Sequence, residues 1–306
     1  MFKKIFLCLI AAALISCSAE KSAIIRRKSS NDITFFIATD THYKSNDETA
    51  SANQTTIELM NALPGTAFPS ETGGTVDSPR AVIVTGDLTE NGLSEEWESF
   101  TANYGIYKEG RLNYPVYEGW GNHDCHNNRT IVMDGICERN SKRSGLTNIS
   151  NNGYHYSWDW DGVHFVQLNI YPGTGTGDPN SWGDPADSLP FLIDELRQNV
   201  SSSGKAIVIF MHFSFDEWGL ENWQTWEQDA FYDAVKDYNV IAMFGGHGHE
   251  FLSGKWRGID YYEICASQPV EEGKGFAVIQ IKNNKLTVAV YNNTGSWHTT
   301  YFEKTF

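Results

Sequence analysis

Eight residues able to bind a metal ion or move a proton fall in five short stretches: Asp40 and His42, Asp87, Asn122 and His123, His212, and His247 and His249. Five of the chain's nine histidines are among them, so imidazole is concentrated here rather than spread along the sequence. Imidazole and carboxylate donors at this density suit Mn, Fe or Zn, whereas Ca takes oxygen ligands. Each stretch alone has an ordinary reading. A lone His at a strand end is usually a hydrogen-bonded residue, and Gly-Asp there is turn chemistry. If all five met at one rim, they would form a crowded polar cluster unless a cation were shared among them.

The elements that must position these residues are legible as short buried strands. Residues 33–39 (ITFFIAT), 81–85 (AVIVT), 115–119 (PVYEG), 205–211 (KAIVIFM) and 239–244 (NVIAMF) each stop at one of the stretches. Helical spacing is predicted over 48–63, where Leu59, Met60 and Leu63 share a stripe, and over 94–104 behind Ser94 as N-cap. Further helices are predicted over 188–200 and, after an aromatic loop, up to 237. Residues 154–160 and 163–170 read as a hairpin around Asp161-Gly162, and 250–306 as all-β with runs near 251–256, 259–265, 275–282 and 285–292. Residues 125–153 read as a long loop on the ligand face. Strands alternating with helices predict an α/β fold, whose ligands gather beyond the carboxyl ends of the strands.

The ordered set Asp40-x-His42, Gly86-Asp87, Gly121-Asn122-His123-Asp124, His212 and Gly246-His247-Gly248-His249 resembles the calcineurin-like metallophosphoesterase superfamily. The run Gly86 to Gly92 (GDLTENG) is most similar to its small phosphodiesterase-like branch. It differs from the G-D-Y-V-D-R-G of protein phosphatases, and Asp124 departs from the G-N-H-E of 5′-nucleotidases. The resemblance implies a four-layer αββα sandwich of two mixed sheets flanked by helices. It implies two divalent transition metal ions, Mn, Fe or Zn. One would take Asp40, His42, Asp87 and His249; the other would take Asp87, Asn122, His212 and His247, with Asp87 bridging. It further implies hydrolysis of a phosphate ester by a metal-bridging hydroxide. His123 would be the general acid. Relatives often orient this His through an acid three residues after the bridging Asp, a position held here by Glu90.

A diester substrate is favoured over a monoester by the GDLTENG run. The alternatives are a phosphomonoesterase of the same fold and a non-catalytic metal- or glycan-binding lipoprotein. For substrate contacts the candidates are His126, Arg129, Arg139, Lys142 and Arg143 in the 125–153 stretch, with Trp218 and Trp223 as pocket walls. No G-x-S-x-G elbow, Walker A loop or H-E-x-x-H occurs.

The first residues, Met1-Phe2-Lys3-Lys4 and an apolar run ending Leu14-Ile15-Ser16-Cys17, read as a signal peptide over 1–16 with Cys17 as the lipidated residue of a bacterial lipobox. Residues 17–31 are then a tether, and 32–306 one domain. The expectation is an exported protein held on a membrane by its lipid alone. Net charge is −15, and loss of Lys3 and Lys4 takes the body to −17 (−15 minus 2). Such a body has no electrostatic footprint for nucleic acid, and a small phosphate ester would meet positive charge only at bound cations. In an oxidising compartment, Cys125 and Cys137 are candidates for a disulfide; the alternative is that Cys125, Cys137 and Cys265 stay thiols.

Overall fold

β-Branched and aromatic side chains alternate along the central strands, and both faces of those strands are buried. A computed structural model describes residues 30–45, 49–128, 130–175, 183–268 and 273–306, with the side chains of 126–128 outside that description. The leader, Cys17 and all but the last residues of the tether lie outside it, as do Arg129 and the His126 side chain.

The first sheet contains β1 (Asp32–Ala38), β2 (Val82–Val84), β3 (Val116–Glu118), β11 (Gly275–Lys282), β12 (Lys285–Asn292) and β13 (Ser296–Thr305), in the order β13-β12-β11-β1-β2-β3. The second contains β4 (Leu146–Ile149), β5 (Tyr156–Trp160), β6 (Val163–Gln167), β7 (Ala206–Phe213), β8 (Val240–Gly246), β9 (Leu252–Trp256) and β10 (Ile259–Glu263), in the order β4-β5-β6-β7-β8-β10-β9. Both sheets are mixed: β1, β2 and β3 are parallel, as are β6, β7, β8 and β10, with antiparallel strands flanking each set.

Ile33, Phe35 and Ile37 of β1 pack in one core with Trp158, Phe165, Phe210 and Phe244 of the second sheet. The alternate residues Phe36 and Ala38 belong to a second core with Ile57 and Met60 of α1 (Ala50–Ala62) and Phe100 of α2 (Ser94–Asn103). That core also takes in Val132 and Ile136 of α3 (Ile131–Lys142), Leu192 of α4 (Ser188–Glu195) and Phe231 of α6 (Thr225–Val235). Period-two alternation thus divides one strand between sheet-on-sheet and helix-on-sheet packing, giving the expected sandwich of two mixed sheets between helices.

Register matters more than layers for the site. Ala38, Val84 and Glu118 stand side by side across β1, β2 and β3, as do Gln167, Phe210 and Phe244 across β6, β7 and β8. The polar stretches therefore begin from two level rows at the carboxyl ends of both sheets.

Three expectations fail here. The stretch 125–153 is not one loop: a 3-10 turn at His123–Asn128 leads into α3, then β4. The helix's buried stripe, Val132, Ile136 and Asn140, contains one amide and is interrupted by Gly135, so apolar spacing hides it. The edge strand β13 was missed because its half-exposed sequence SWHTTYFEKT contains no apolar run. The Cys125–Cys137 disulfide is not formed: Cys125 Sγ faces the Asn122 carbonyl at 3.5 Å from the 3-10 turn, while Cys137 Sγ faces the Asn152 carbonyl at 3.8 Å from α3.

Candidate metal centre

The chain leaves β1 and β2 in two loops that keep running side by side. Asp40 N donates to Gly86 O at 3.0 Å, His42 N to Asp87 O at 3.0 Å and Tyr43 N to Leu88 O at 3.1 Å. This continued ladder puts Asp40, His42 and Asp87 at neighbouring positions. Asp124 joins the third loop to the second: its carboxylate accepts from Leu88 N (3.1 Å), Thr89 N (2.8 Å), Thr89 Oγ1 (2.7 Å) and Gly121 N (2.8 Å). Gly121 is needed for closeness rather than for a sharp turn, since any side-chain carbon there would overlap the Asp87 carboxylate. From the second sheet, His247 N donates to Asp40 Oδ2 at 3.2 Å.

Five of these residues have left-handed backbone: Asp40 (φ 50°), His42 (41°), Asp87 (49°), His247 (77°) and His249 (62°). For residues with a Cβ this conformation costs of order 1–3 kcal/mol each and persists only where the surroundings impose it, typically at functional sites.

Three donor groups result among the described residues, with the ligand atoms of each within 4.8 Å of one another. Asp40, His42 and His249 form the first, Asp87, His212 and His247 the second, and a third, His42, Glu90 and His123, shares His42 with the first. In the first, the Nε2 atoms of His42 and His249 face each other at 3.2 Å, and lie 3.8 and 3.4 Å from Asp40 Oδ1. Asp40 Oδ1 is buried with no hydrogen-bond partner among the described residues. Donors bonded at about 2.0–2.2 Å to one ion stand roughly 2.8–3.8 Å apart for angles between about 90° and 120°, so the three separations suit a shared ion that would also satisfy Asp40 Oδ1. In the second, His212 Nε2 lies 3.2 Å from Asp87 Oδ2 and 3.1 Å from Asn122 Oδ1. Asp87 Oδ2 is also 3.7 Å from His42 Nε2, so this carboxylate stands between the groups.

The charges are those of a metal-free site. Burial would raise the Asp40 carboxyl, but the close approach of His249 and the charges of His212 and His249 outweigh it and hold it at about 2. Asp87 is likewise held below the carboxylate range, burial being outweighed by His212 and His42. Burial would lower His42, yet its hydrogen bond to Glu90 and the charges of Asp87 and Asp40 raise it to about 9. Burial and the charge of His212 push His247 down to about 4.

Glu90 serves two histidines in a way the sequence did not suggest. Its carboxylate meets His42 Nδ1 at 3.1 Å, and its backbone carbonyl, not its side chain, meets His123 Nδ1 at 2.9 Å. A carboxylate behind a histidine ligand fixes its ring and raises its basicity. Removing it in Glu90→Ala is expected to weaken Mn²⁺ binding about 10- to 100-fold by calorimetric titration; unchanged affinity would remove Glu90 from this role.

The sequence of the Asp40–His249 region and the two-sheet frame around it match one family. The profile of the calcineurin-like phosphoesterases aligns with residues 33–251. The chain belongs to this family. Comparison with curated proteins gives no match. Among solved structures, a dimetal phosphatase from Danio rerio is similar with a TM-score of 0.57 at 13% identity, over 90% of this chain and 99% of that one. An anchor of the inner membrane complex of Plasmodium is similar with a TM-score of 0.56 at 10% identity, over 90% and 89%. At such identities the likeness is one of fold. A calcineurin-like phosphoesterase is a divalent-metal-dependent phosphoester hydrolase, and the candidate metal-binding groups among the described residues all lie at this centre.

The structure does not bring every candidate to this centre. Arg139 is a correction: its Nε binds Glu118 Oε1 at 2.7 Å, and Arg143 holds the same buried carboxylate from the other side. These guanidinium groups tie α3 to β3 and do not line the centre. Lys142 pairs with Glu138 on the exposed face of α3. Trp223 is buried against Phe215, Phe231 and Trp256, as core rather than pocket wall. Trp218 is 71% exposed on α5 (Glu217–Glu221). Sequence reasoning missed Glu263, whose buried carboxylate lies beneath Gly248 between two histidines and is raised to about 8 by burial and Asp216. It ends β10, but the predicted run continues through Ile264 and Cys265, so the strand-end criterion applied to the other stretches passes over it.

Proposed function

We propose that this calcineurin-like phosphoesterase is dinuclear, with one ion on Asp40, His42, Asp87 and His249 and the other on Asp87, Asn122, His212 and His247. The observation that carries this reading is the place of Asp87 Oδ2, 3.2 Å from His212 and 3.7 Å from His42, as the common wall of both donor groups. Mn, Fe or Zn held there would supply an activated water and neutralise phosphate charge. Asn122, a neutral donor, adds no repulsion towards an anionic substrate. His123 is fixed from two sides: its backbone N donates to Asp87 Oδ1 at 2.9 Å, and its ring Nδ1 donates to the Glu90 carbonyl. That tautomer assigns Nε2 as the atom that exchanges a proton with the leaving oxygen.

The substrate is a phosphodiester on the GDLTENG likeness of residues 86–92. Export and anchoring through Cys17 belong to the same reading and rest on the sequence of residues 1–17; fatty-acid labelling lost in Cys17→Ser checks them. The central test adds Mn²⁺ to metal-free protein and compares bis-p-nitrophenyl phosphate with p-nitrophenyl phosphate. Two ions per chain and faster diester turnover are expected. Faster monoester turnover selects the monoesterase, and full occupancy without hydrolysis of either overturns the enzyme and favours a binding protein.

A further inference from the structure

Asn122 comes from the first sheet and His212 from the second, and their side chains meet at 3.1 Å. Something must set the separation of the two strand ends that carry them. The residue between them is Asn169, two positions beyond the end of β6 and fully buried. Its backbone is left-handed, with φ at 62°, a conformation Asn tolerates better than most residues.

Every polar atom of Asn169 is engaged, and two of them, the carbonyl oxygen and Oδ1, reach across this seam. Its carbonyl accepts from His212 N at 2.6 Å. Its side-chain Oδ1 accepts from Trp120 N at 3.1 Å, immediately before the Gly121-Asn122-His123 turn. Its Nδ2 donates to His155 Nδ1 at 2.9 Å and to Tyr154 O at 3.2 Å, and its N donates to Gln167 Oε1 at 3.3 Å. The orientation of the amide follows from its neighbours. His155 Nε2 faces the Ala186 carbonyl at 2.8 Å, and a carbonyl only accepts, so Nε2 carries the proton and Nδ1 is the acceptor. An amide with its NH₂ on His155 then presents Oδ1 to Trp120. Burial keeps the imidazole neutral, lowering it to about 4, so the tautomer does not switch at neutral pH.

We propose that Asn169 is a positioning residue for the second ion: one side chain and one carbonyl together fix where Asn122 and His212 stand. This rests on the ligand assignment proposed above. Of the first group, Asp40 and His42 are held by the β1–β2 loop ladder, and the His249 carbonyl accepts from Ala266 N at 3.3 Å; none of the Asn169 hydrogen bonds above reaches these residues. The two ions therefore differ in their dependence on this residue.

Asn169→Gly keeps the left-handed backbone and removes only the amide; Asn169→Ser is the second variant if the first fails to fold. Stepwise Mn²⁺ titration by calorimetry is compared with His247→Ala, which should lose the second ion, and His249→Ala, which should weaken the first. Both Asn169 variants are expected to bind the first ion within about threefold of the parent and the second about 10- to 100-fold more weakly. Turnover should recover at high Mn²⁺. Equal weakening of both steps, or an unchanged second step, overturns the proposal. A parent that never binds a second ion would instead overturn the dinuclear reading.

Discussion

Asp87→Asn is expected to lower kcat/KM for phosphoester hydrolysis at least about 10³-fold, corresponding to the loss of about 4 kcal/mol of transition-state stabilisation. The substitution is close to isosteric and keeps an oxygen for His123 N, which Asp87 Oδ1 now accepts at 2.9 Å. What it removes is the negative charge that both donor groups use, since His212 and His42 lie 3.2 and 3.7 Å from Oδ2. Metal analysis should find fewer than two ions per chain. The rise in melting temperature on adding Mn²⁺ should shrink, because an ion that binds only the native state stabilises in proportion to its affinity. The metal-free variant should keep the parent's far-ultraviolet circular dichroism and a cooperative melt, which separates a lost ligand from a lost fold. A variant that keeps both ions and a tenth of its activity would falsify the central place given to Asp87.

The gathering of these side chains at one centre was legible in the sequence because each is announced twice, by its own type and by the apolar run that stops at it. Asp40, Asp87, His212 and His247 were found in this way. The left-handed backbone at five of these residues was not legible, since nothing in Asp or His marks φ as positive. Glycine is ambiguous for the same reason. Gly248 reads as a flexible spacer, but it is required because a side chain there would overlap the Glu263 carboxylate, fifteen residues further on in sequence. The loop reading of 125–153 failed for a different reason. Apolar periodicity detects helices that bury a long run of hydrocarbon, whereas α3 buries only Val132 and Ile136 and is otherwise held by polar and charged anchors: Asn140 to the 153–154 backbone, and Arg139 with neighbouring Arg143 to Glu118. Basic residues around so short an apolar stripe resembled a phosphate-binding loop, and only their partner corrects that.

That partner gives the largest expected effect on stability. Glu118 is fully buried at the end of β3, four residues before Asn122. Arg139 binds it through Nε at 2.7 Å and Nη2 at 3.2 Å, and Arg143 through Nη2. The Arg143 guanidinium also sits over Tyr117 and Tyr156, at 5.2 and 5.4 Å from the ring centres. Removing one partner of a buried ionic cluster leaves the others charged in a low dielectric, so Glu118→Ala is expected to destabilise by about 3–5 kcal/mol in urea unfolding. Burial would raise the Glu118 carboxyl, but Arg139 and Arg143 outweigh it and hold it at about 2, below the ordinary 4.5. A depressed carboxylate stabilises fully above its unfolded pKa and loses that contribution as pH falls through the folded one. The parent should therefore lose stability between pH 4.5 and about 2, and Glu118→Gln should lose less over that interval. The same cluster separates a structural from a substrate role for Arg139. Arg139→Lys keeps the charge but not the two-pronged contact, and should lower the urea midpoint while leaving KM for a diester unchanged. A tenfold rise in KM with an unchanged midpoint would return Arg139 to the substrate.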